Sequence, residues 1–502
     1  MSIKEYFRRF VLRGEFLPAL TVFTAAALWL PHACESLWRD EAITWWIIKD
    51  GWAETFERAF HFQEWSGAYY LFMKAWVSVF GKSEAALRVP SLAAAAAAAY
   101  ALYLLGKRIK DRETGLLAAL VFSTSGYMSF HAADARPYAA ALAFGILATL
   151  NLTALLDENK AKNMCAYVLF SVLTVYFHIA FAGLLGVHAL YGGFRCFKEK
   201  CQAGKLFGAY GLILFFLLPL AGPAGRILAR SSSLMFAELP SFAALFFVVL
   251  PVALAAGIAA GILVSGGGSF RMENLKTAPG SALFLAAGLA LLPPLVFFFV
   301  ARFAGLEIWV PRYFLYSQAG AALCAGLFLR ALEPDSARRL AAAGIAVAML
   351  LTYGRPERVN ENWRAAAQWA GERAGRPGTP VLLKAPYVES NLMSLLSDPA
   401  AAGYLSAPLG YYPVGARVVL LPEKPAGAAE KYASDGIKTA ARGASGIVVI
   451  GAGGMDYDDW LNRQFWKNKF FRSEYITYGD ITSAVFVPCA SLPKRLNHAD
   501  AH

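Results

Sequence analysis

Long apolar runs separated by short polar loops fill the first 353 residues of the chain. A helix needs roughly 20 apolar residues to cross a bilayer, and by that criterion the pattern predicts about eleven membrane spans. The predicted spans are 16–36, 85–106, 115–131, 137–156, 164–178, 179–194, 206–222, 241–264, 281–303, 312–331 and 340–353. The predicted fold class is therefore a polytopic α-helical membrane protein.

Composition supports this class and excludes others. The chain is 57% hydrophobic and 16% charged, with a mean hydropathy of +0.44, which is too apolar for a soluble protein of 502 residues. The net charge of +12 does not indicate nucleic-acid binding, because the basic residues collect in short loops where the positive-inside rule explains them. That rule places the N-terminus inside.

The segment Tyr69 to Phe80 is apolar, but it is only about a dozen residues long and contains Lys74. We predict an interfacial helix on the outer membrane surface. Counting it as a span would invert every later loop and place most basic loops outside. With this topology, the polar stretches at Asp40-Glu41, at 131–138 and at 311–313 all face outward.

After Tyr353, charges become frequent and apolar runs shrink to strand length. The predicted division is a transmembrane domain at 1–353 and an extracytoplasmic α/β domain at 354–502. Strands and helices alternate, which is typical of a largely parallel sheet. The predicted strands are 381–384, 418–421, 447–450, 472–478 and 482–488.

The six cysteines show no CxxC pair and no metal-ligand spacing, so the sequence indicates neither a zinc site nor a disulfide framework. Cys196 and Cys201 fall in a basic loop predicted to be cytoplasmic and reduced. No cofactor and no bound metal are predicted.

Asp40 and Glu41 form the most informative polar feature, in the stretch SLWRDEAIT just after the first apolar run. Carboxylates are favoured at helix N-termini, so capping is one interpretation. Capping needs only one acid, however. A carboxylate at a membrane edge can instead act as the general base that deprotonates an attacking hydroxyl or amine, and we predict Asp40, with Glu41, as catalytic.

Other polar residues of the outer face are candidates for binding an anionic substrate. Arg88, beside Pro90, is either a snorkelling anchor or a bidentate phosphate ligand. Asp134 and Arg136 either pair with each other or, in the stretch that also contains Tyr138, line a polar pocket together with Asp40. His178 ends an apolar run, where a hydrogen bond at the interface is the alternative to a site role. Arg312 and Tyr313 could hold a phosphate and stack on a sugar, or belong to an aromatic belt; these candidates are binding residues.

The order of these features resembles the polytopic GT-C glycosyltransferases, specifically bacterial relatives of protein O-mannosyltransferase and of the lipid A aminoarabinose transferase. The resemblance is carried by RDEAIT, YYLFMKAWVSVFGKSEAALRVPS, GLLAALVFSTSGYMSFHAADARPYA, VYFHIAF, PRYFLY and NWRAAAQWA. It covers the first 140 residues well, the rest of the membrane part loosely, and the C-terminal domain only at its start.

The resemblance implies a multi-pass enzyme of the bacterial inner membrane that transfers a sugar from a polyprenyl-phosphate donor, with inversion at the anomeric carbon. Its acceptor would be a glycan, lipid or protein at the outer face. Asp40 becomes the expected base, and Arg88 and Arg312 the expected donor-phosphate ligands. Relatives often carry Pro-Pro-Leu-Tyr-Tyr where this chain reads Ser66-Gly67-Ala68-Tyr69-Tyr70, so acceptor identity does not carry over.

A transporter or flippase would also have many spans. That class predicts ionisable groups near mid-span on broken helices in repeated halves, whereas this sequence shows few mid-span charges and no convincing repeat. An inactive relative that only binds polysaccharide is a third interpretation, which intact Asp40, Arg88 and Arg312 disfavour.

Overall fold

The structure is a computed structural model that describes residues 16–199, 203–230, 239–271, 280–305, 308–353, 361–375, 378–452 and 455–491. The described residues form two compact units. The first contains the residues up to Ala33 and from Thr55 to Tyr353, and the second contains Cys34–Glu54 and the residues from Glu361 onward. The second unit therefore combines a short early segment with the C-terminal part of the chain.

The first unit is almost wholly helical. Its helices are α1 (Phe16–Trp29), α3 (Trp52–His61, whose first residues belong to the second unit), α4 (Gly67–Phe80), α5 (Glu84–Ile109), α6 (Arg112–Ser123), α7 (Gly126–Ala132), α8 (Tyr138–Glu158), α9 (Ala161–Phe177), α10 (Gly183–Glu199), α11 (Ala203–Leu217), α12 (Ala221–Arg230), α13 (Phe242–Val264), α14 (Gly280–Ala304), α15 (Tyr316–Leu329) and α16 (Asp335–Tyr353). Two-residue strands β1 (Ser269–Phe270) and β2 (Leu332–Glu333) pair antiparallel.

Helices occupy every segment predicted to span the membrane. Within the described residues, five stretches are long and apolar enough to cross a bilayer, and four more are apolar but shorter. The predicted span 115–131 is interrupted, because α6 ends at Ser123 and α7 begins at Gly126. Thr124 bonds back to the carbonyls of Leu120 and Val121 through its hydroxyl, which competes with continuation of the helix.

Lys74 and Cys196 lie in surroundings that the sequence did not predict. The predicted interfacial segment is helix α4, but Lys74 is buried within the unit and does not extend from a free surface. Cys196 is disulfide-bonded, so the prediction that it is reduced is wrong. Four other described cysteines, Cys34, Cys165, Cys324 and Cys489, are free.

Glycines bring α5 and α6 together at backbone contact. A Cβ at Gly115 would lie 2.3 Å from the carbonyl oxygen of Tyr103 and 2.9 Å from the amide nitrogen of Lys107, while a Cβ at Gly106 would lie 2.6 Å from the Cα of Gly115. Small residues allow this approach of membrane helices. The packing therefore depends on the absence of side chains at both positions.

Gly115→Ala is expected to lower the free energy of unfolding by about 1–3 kcal/mol, because the new methyl meets rigid backbone rather than a movable side chain. The measurement is thermal unfolding of the purified protein in detergent. Gly211→Ala is the matched control, since a Cβ at that helical glycine meets nothing within 4 Å. Equal unfolding temperatures for the two variants would contradict the close-packing argument.

The second unit contains a five-stranded sheet in the order β4-β3-β5-β7-β6. Its strands are β3 (Val381–Lys384), β4 (Val418–Leu421), β5 (Ile447–Ala452), β6 (Phe470–Tyr478) and β7 (Ile481–Pro488). The strands β3, β4 and β5 are parallel, whereas β7 pairs antiparallel with both β5 and β6. The sheet is thus mixed where the sequence predicted a largely parallel one, because a two-residue connection between β6 and β7 can join only antiparallel strands.

Helices cover both faces of this sheet. The helices of the second unit are α2 (Arg39–Ile48), α17 (Trp363–Ala374), α18 (Met393–Leu396), α19 (Pro399–Leu405), α20 (Ala407–Tyr411), α21 (Gly427–Ala441) and α22 (Met455–Lys467). One core cluster packs α17 against Val381, Leu383 and Val448, and the other packs α21 and α22 against Leu382 and Val449. Alternate side chains of the same strands therefore serve opposite cores, as the two-residue period of a strand requires.

Candidate active site

The acidic pair lies at the start of α2 in the second unit. Glu41 is fully buried, and its Oε2 accepts a hydrogen bond of 3.3 Å from the backbone N–H of Trp38. This contact satisfies a helix donor that lacks an intrahelical partner. The capping interpretation therefore applies to Glu41, whereas Asp40 is half-buried and its role as a base stays a prediction.

Contacts from distant parts of the chain hold the backbone beside Asp40. Arg39 Nε lies 2.8 Å from Glu361 Oε1, and its backbone N–H donates to Glu361 Oε2 at 3.1 Å. Trp363 Nε1 donates to the same Oε2 at 2.9 Å. The two sequence motifs RDEAIT and NWRAAAQWA thus meet through one buried carboxylate, which fixes the start of α2.

Asp40 interacts electrostatically with three side chains from the C-terminal part of the chain, those of Tyr387, Glu389 and Tyr404. Tyr387 Oη donates to the carbonyl of Arg39 at 2.8 Å, and Tyr404 Oη donates to Glu389 Oε1 at 3.1 Å. Burial raises the pKa of Glu389, and the negative charge of Asp40 raises it further. Asp40 therefore has a second carboxyl group in its neighbourhood that the sequence did not indicate.

A cluster of four rings forms the centre of the polar region in the first unit; we call Trp65, Tyr138, His178 and Tyr313 the aromatic cluster. Trp65 stacks on Tyr313 with ring centroids 5.4 Å apart and an interplanar angle of 24°. His178 lies 6.0 Å from Trp65, 5.1 Å from Tyr138 and 5.2 Å from Tyr313. Flat ring faces of this kind suit the apolar face of a sugar.

Two arginines border the aromatic cluster. The guanidinium carbon of Arg312 lies 5.8 Å from the Tyr138 ring centroid and 6.0 Å from that of Tyr313. Arg136 Nη1 donates to Tyr70 Oη at 2.9 Å and Nη2 to Gln63 Oε1 at 3.4 Å. Both guanidinium groups interact electrostatically with the His178 ring. Two fixed cations beside ring faces can bind an anion that carries an apolar or sugar group.

The carboxylate of Asp134 lies beside His131 in the loop between α7 and α8. Its Oδ2 lies 3.6 Å from His131 Nδ1, and both residues are buried. The backbone carbonyl of Asp134 accepts a hydrogen bond from Ser91 of α5. These contacts fold the loop between α7 and α8 so that Arg136 and Tyr138 reach the aromatic cluster. Asp134 thus has the geometry of a positioning residue.

Arg88 is fully buried, and its Nη1 donates to the carbonyls of His32 and Ala33 at 3.2 and 3.1 Å. These bonds tie α5 to the turn that follows α1. Arg88 thus makes an anchoring contact through Nη1, and its role as a phosphate ligand stays a prediction.

The sequence did not single out Gln63, Glu64, Trp65 and Tyr70 as site candidates, although the structure places these four residues of the first unit in or beside this region. Gln63 and Tyr70 hold Arg136, Trp65 belongs to the aromatic cluster, and Glu64 Oε1 lies 2.9 Å from Arg226 Nε. The signal that could have found them is the dense run QEWS between two amphipathic segments. Among the described residues, no three His, Cys, Asp or Glu side chains are grouped as a metal site requires.

Comparison with known proteins supports the resemblance seen in the sequence. The family model for dolichyl-phosphate-mannose-protein mannosyltransferase matches residues 68–223. ArnT from Cupriavidus metallidurans in the apo state has a TM-score of 0.58 at 10% identity, with 95% of this chain and 99% of that one covered. The same protein bound to undecaprenyl phosphate gives 0.55 at 12% identity, covering 93% and 97%. No curated protein sequence gives a significant match.

The fold of this chain is therefore similar to that of ArnT over nearly its whole length. Residues 68–223 are similar to the dolichyl-phosphate-mannose-protein mannosyltransferase family, in keeping with the resemblance that the order of the sequence motifs indicated.

Proposed function

We propose that this protein transfers a sugar from a polyprenyl-phosphate donor to a glycan, lipid or protein acceptor by inverting displacement. The reaction would take place on the outer face of the bacterial cytoplasmic membrane, and the α/β unit would be extracytoplasmic. The observation that carries the proposal is the aromatic cluster bordered by Arg136 and Arg312, since it combines ring faces with two fixed cations. ArnT, which shares the fold, has been found with undecaprenyl phosphate bound.

Each of these residues has a different proposed role in the reaction. Asp40 removes the proton of the acceptor nucleophile as that atom attacks the anomeric carbon. Arg136 and Arg312 stabilise the charge that develops on the departing polyprenyl phosphate. The aromatic cluster orients the sugar, and Asp134 holds the loop that carries Arg136 and Tyr138. No step requires a cofactor.

The test is incubation of the purified full-length protein in lipid nanodiscs with radiolabelled polyprenyl-phosphate sugars. Sugar transfer, or slow hydrolysis of one donor, is the expected result. If the protein in proteoliposomes instead moves intact donor across the membrane and leaves its glycosidic bond uncut, it is a flippase and the proposal is wrong.

Trp65→Leu is expected to lower kcat/KM for the donor by about 3- to 10-fold, because a stacked aromatic contact contributes about 0.5–1.5 kcal/mol. The loss should appear mainly in KM. Trp466→Leu is the control, since that tryptophan is exposed on α22. Unchanged kinetics of the Trp65 variant would show that the aromatic cluster is not part of the donor site.

A further inference from the structure

Lys384 is the most unusual charged residue of the second unit. It ends the central parallel strand β3, and only 7% of its surface is exposed. Its ammonium nitrogen lies 4.1 Å from the centroid of the Tyr457 ring. Within the described part of the chain, no hydrogen bond or salt bridge to this ammonium is present. Charged groups buried to this degree are normally paired and hydrogen-bonded.

The position of Lys384 in the sheet is equally specific. The parallel strands lie in the order β4-β3-β5. After β3, the chain therefore forms β4 on one side of it and then crosses over to form β5 on the other side. In open α/β sheets, ligands bind outside the carboxyl ends of the strands where this reversal occurs. Lys384 is paired with Gly451 of β5 there, and a Cβ at Gly451 would lie 2.5 Å from that of Lys384.

Two carboxylates share this edge. Glu423 follows the end of β4, and Asp458 lies in the first turn of α22. Burial lowers the pKa of Lys384, and the charges of Asp458 and Glu423 oppose that shift, which places both acids within electrostatic reach of the ammonium. Tyr457 Oη donates to the carbonyl of Pro422 at 3.1 Å and so joins α22 to the end of β4.

In each carboxylate, one oxygen accepts a hydrogen bond from another side chain. Asn391 Nδ2 donates to Glu423 Oε2 at 2.9 Å, and Tyr475 Oη donates to Asp458 Oδ2 at 3.2 Å. Both acids are half-buried, so their other oxygens can accept further hydrogen bonds. The edge therefore offers three ammonium donors and several carboxylate acceptors side by side.

The mixture of charges selects the ligand. A phosphate or carboxylate would be repelled by Glu423 and Asp458, and a cation would offer no acceptor to the ammonium donors of Lys384. A neutral ligand with many hydroxyl groups can use the donors and the acceptors together. We propose that the carboxyl edge of β3, β4 and β5 is a saccharide-binding site, in which Lys384 donates to sugar oxygens and Glu423 and Asp458 accept from sugar hydroxyls.

This inference extends the proposed function. The identification of the bound saccharide as the acceptor glycan rests on that function, whereas the existence of the site does not. The cation–π contact of Lys384 with Tyr457 is the competing structural explanation. It accounts for attraction to a ring face, but it uses no hydrogen-bond acceptor of the protein, so the three ammonium donors stay available to a ligand.

The experiment measures binding of free maltotriose, mannotriose and chitotriose to the full-length protein in nanodiscs by saturation-transfer NMR. Inorganic phosphate is the anionic probe. At least one saccharide is expected to bind, and Lys384→Met is expected to weaken it by about 10-fold or more, because a hydrogen bond to a charged group is lost. Lys438→Met is the control, since Lys438 is an exposed lysine on α21.

Glu423→Gln and Asp458→Asn keep the test decisive if the Lys384 variant fails to fold, because both residues are half-buried; each is expected to weaken binding by about 5-fold. Saccharide binding that survives all three substitutions would overturn the proposal. So would binding of phosphate alone, or of no saccharide by the wild-type protein. Sugar transfer is measured separately, so the saccharide site and the transferase function can fail independently.

Discussion

Asp40→Asn is expected to reduce sugar transfer by about 10²- to 10⁴-fold, the range that a general base contributes. Asparagine preserves the size of the side chain and its place at the start of α2, but it cannot take up a proton. The loss should therefore appear in kcat, with little change in the donor KM. The measurement is the initial rate of transfer from a radiolabelled polyprenyl-phosphate sugar.

Asp50→Asn is the matched control for this experiment. It changes the same residue type shortly after α2, at a site that is exposed. Unchanged thermal unfolding of both variants would show that the fold is intact. Full transfer activity in Asp40→Asn would reject Asp40 as the base and direct attention to Glu389, the carboxyl group whose charge is coupled to that of Asp40.

Arg312→Gln is expected to lower kcat/KM for the donor by about 10²- to 10³-fold, because one preorganised donor to the leaving group is removed. Arg312→Lys should recover only part of this loss, since lysine keeps the charge but not the planar pair of donors. Comparing kcat and KM for the three proteins separates leaving-group stabilisation from ground-state binding.

The control for Arg312 is Arg302→Gln, which removes an exposed cation near the end of α14. Equal losses in the two variants would indicate a general electrostatic attraction to the lipid phosphate. A specific loss at Arg312 is expected, because its guanidinium lies over Tyr138 and Tyr313.

The helical architecture could be predicted because membrane helices are local. Each needs about 20 consecutive apolar residues and satisfies its own backbone, so helices occupy every predicted segment. The break between α6 and α7 escaped prediction, because the hydroxyl of Thr124 bonds to the carbonyls of the preceding turn and competes with the helix through contacts that composition does not report. The mixed sheet escaped for a similar reason, since strand direction depends on connections and not on hydropathy.

The candidate site could be predicted only in part. His178, Arg312 and Tyr313 stood out because polar groups end apolar runs there, and the structure places them together with Tyr138. Arg88 stood out equally, yet its guanidinium binds backbone carbonyls. Trp65 was not singled out, because an aromatic residue near a membrane surface is common and its stacking partner is about 250 positions away in the chain.

The sequence by itself determined that the chain is a helical membrane protein and where its helical segments lie, because apolar length and charge bias are properties of the chain alone. The proposal of Asp40 as base also came from the sequence, through the order of its motifs. Only the tertiary structure decided which carboxylate caps α2, which arginines border the aromatic cluster, and that Glu361 joins Arg39 to Trp363. Those outcomes depend on contacts between residues far apart in sequence, whose distances are set by helix packing and strand order.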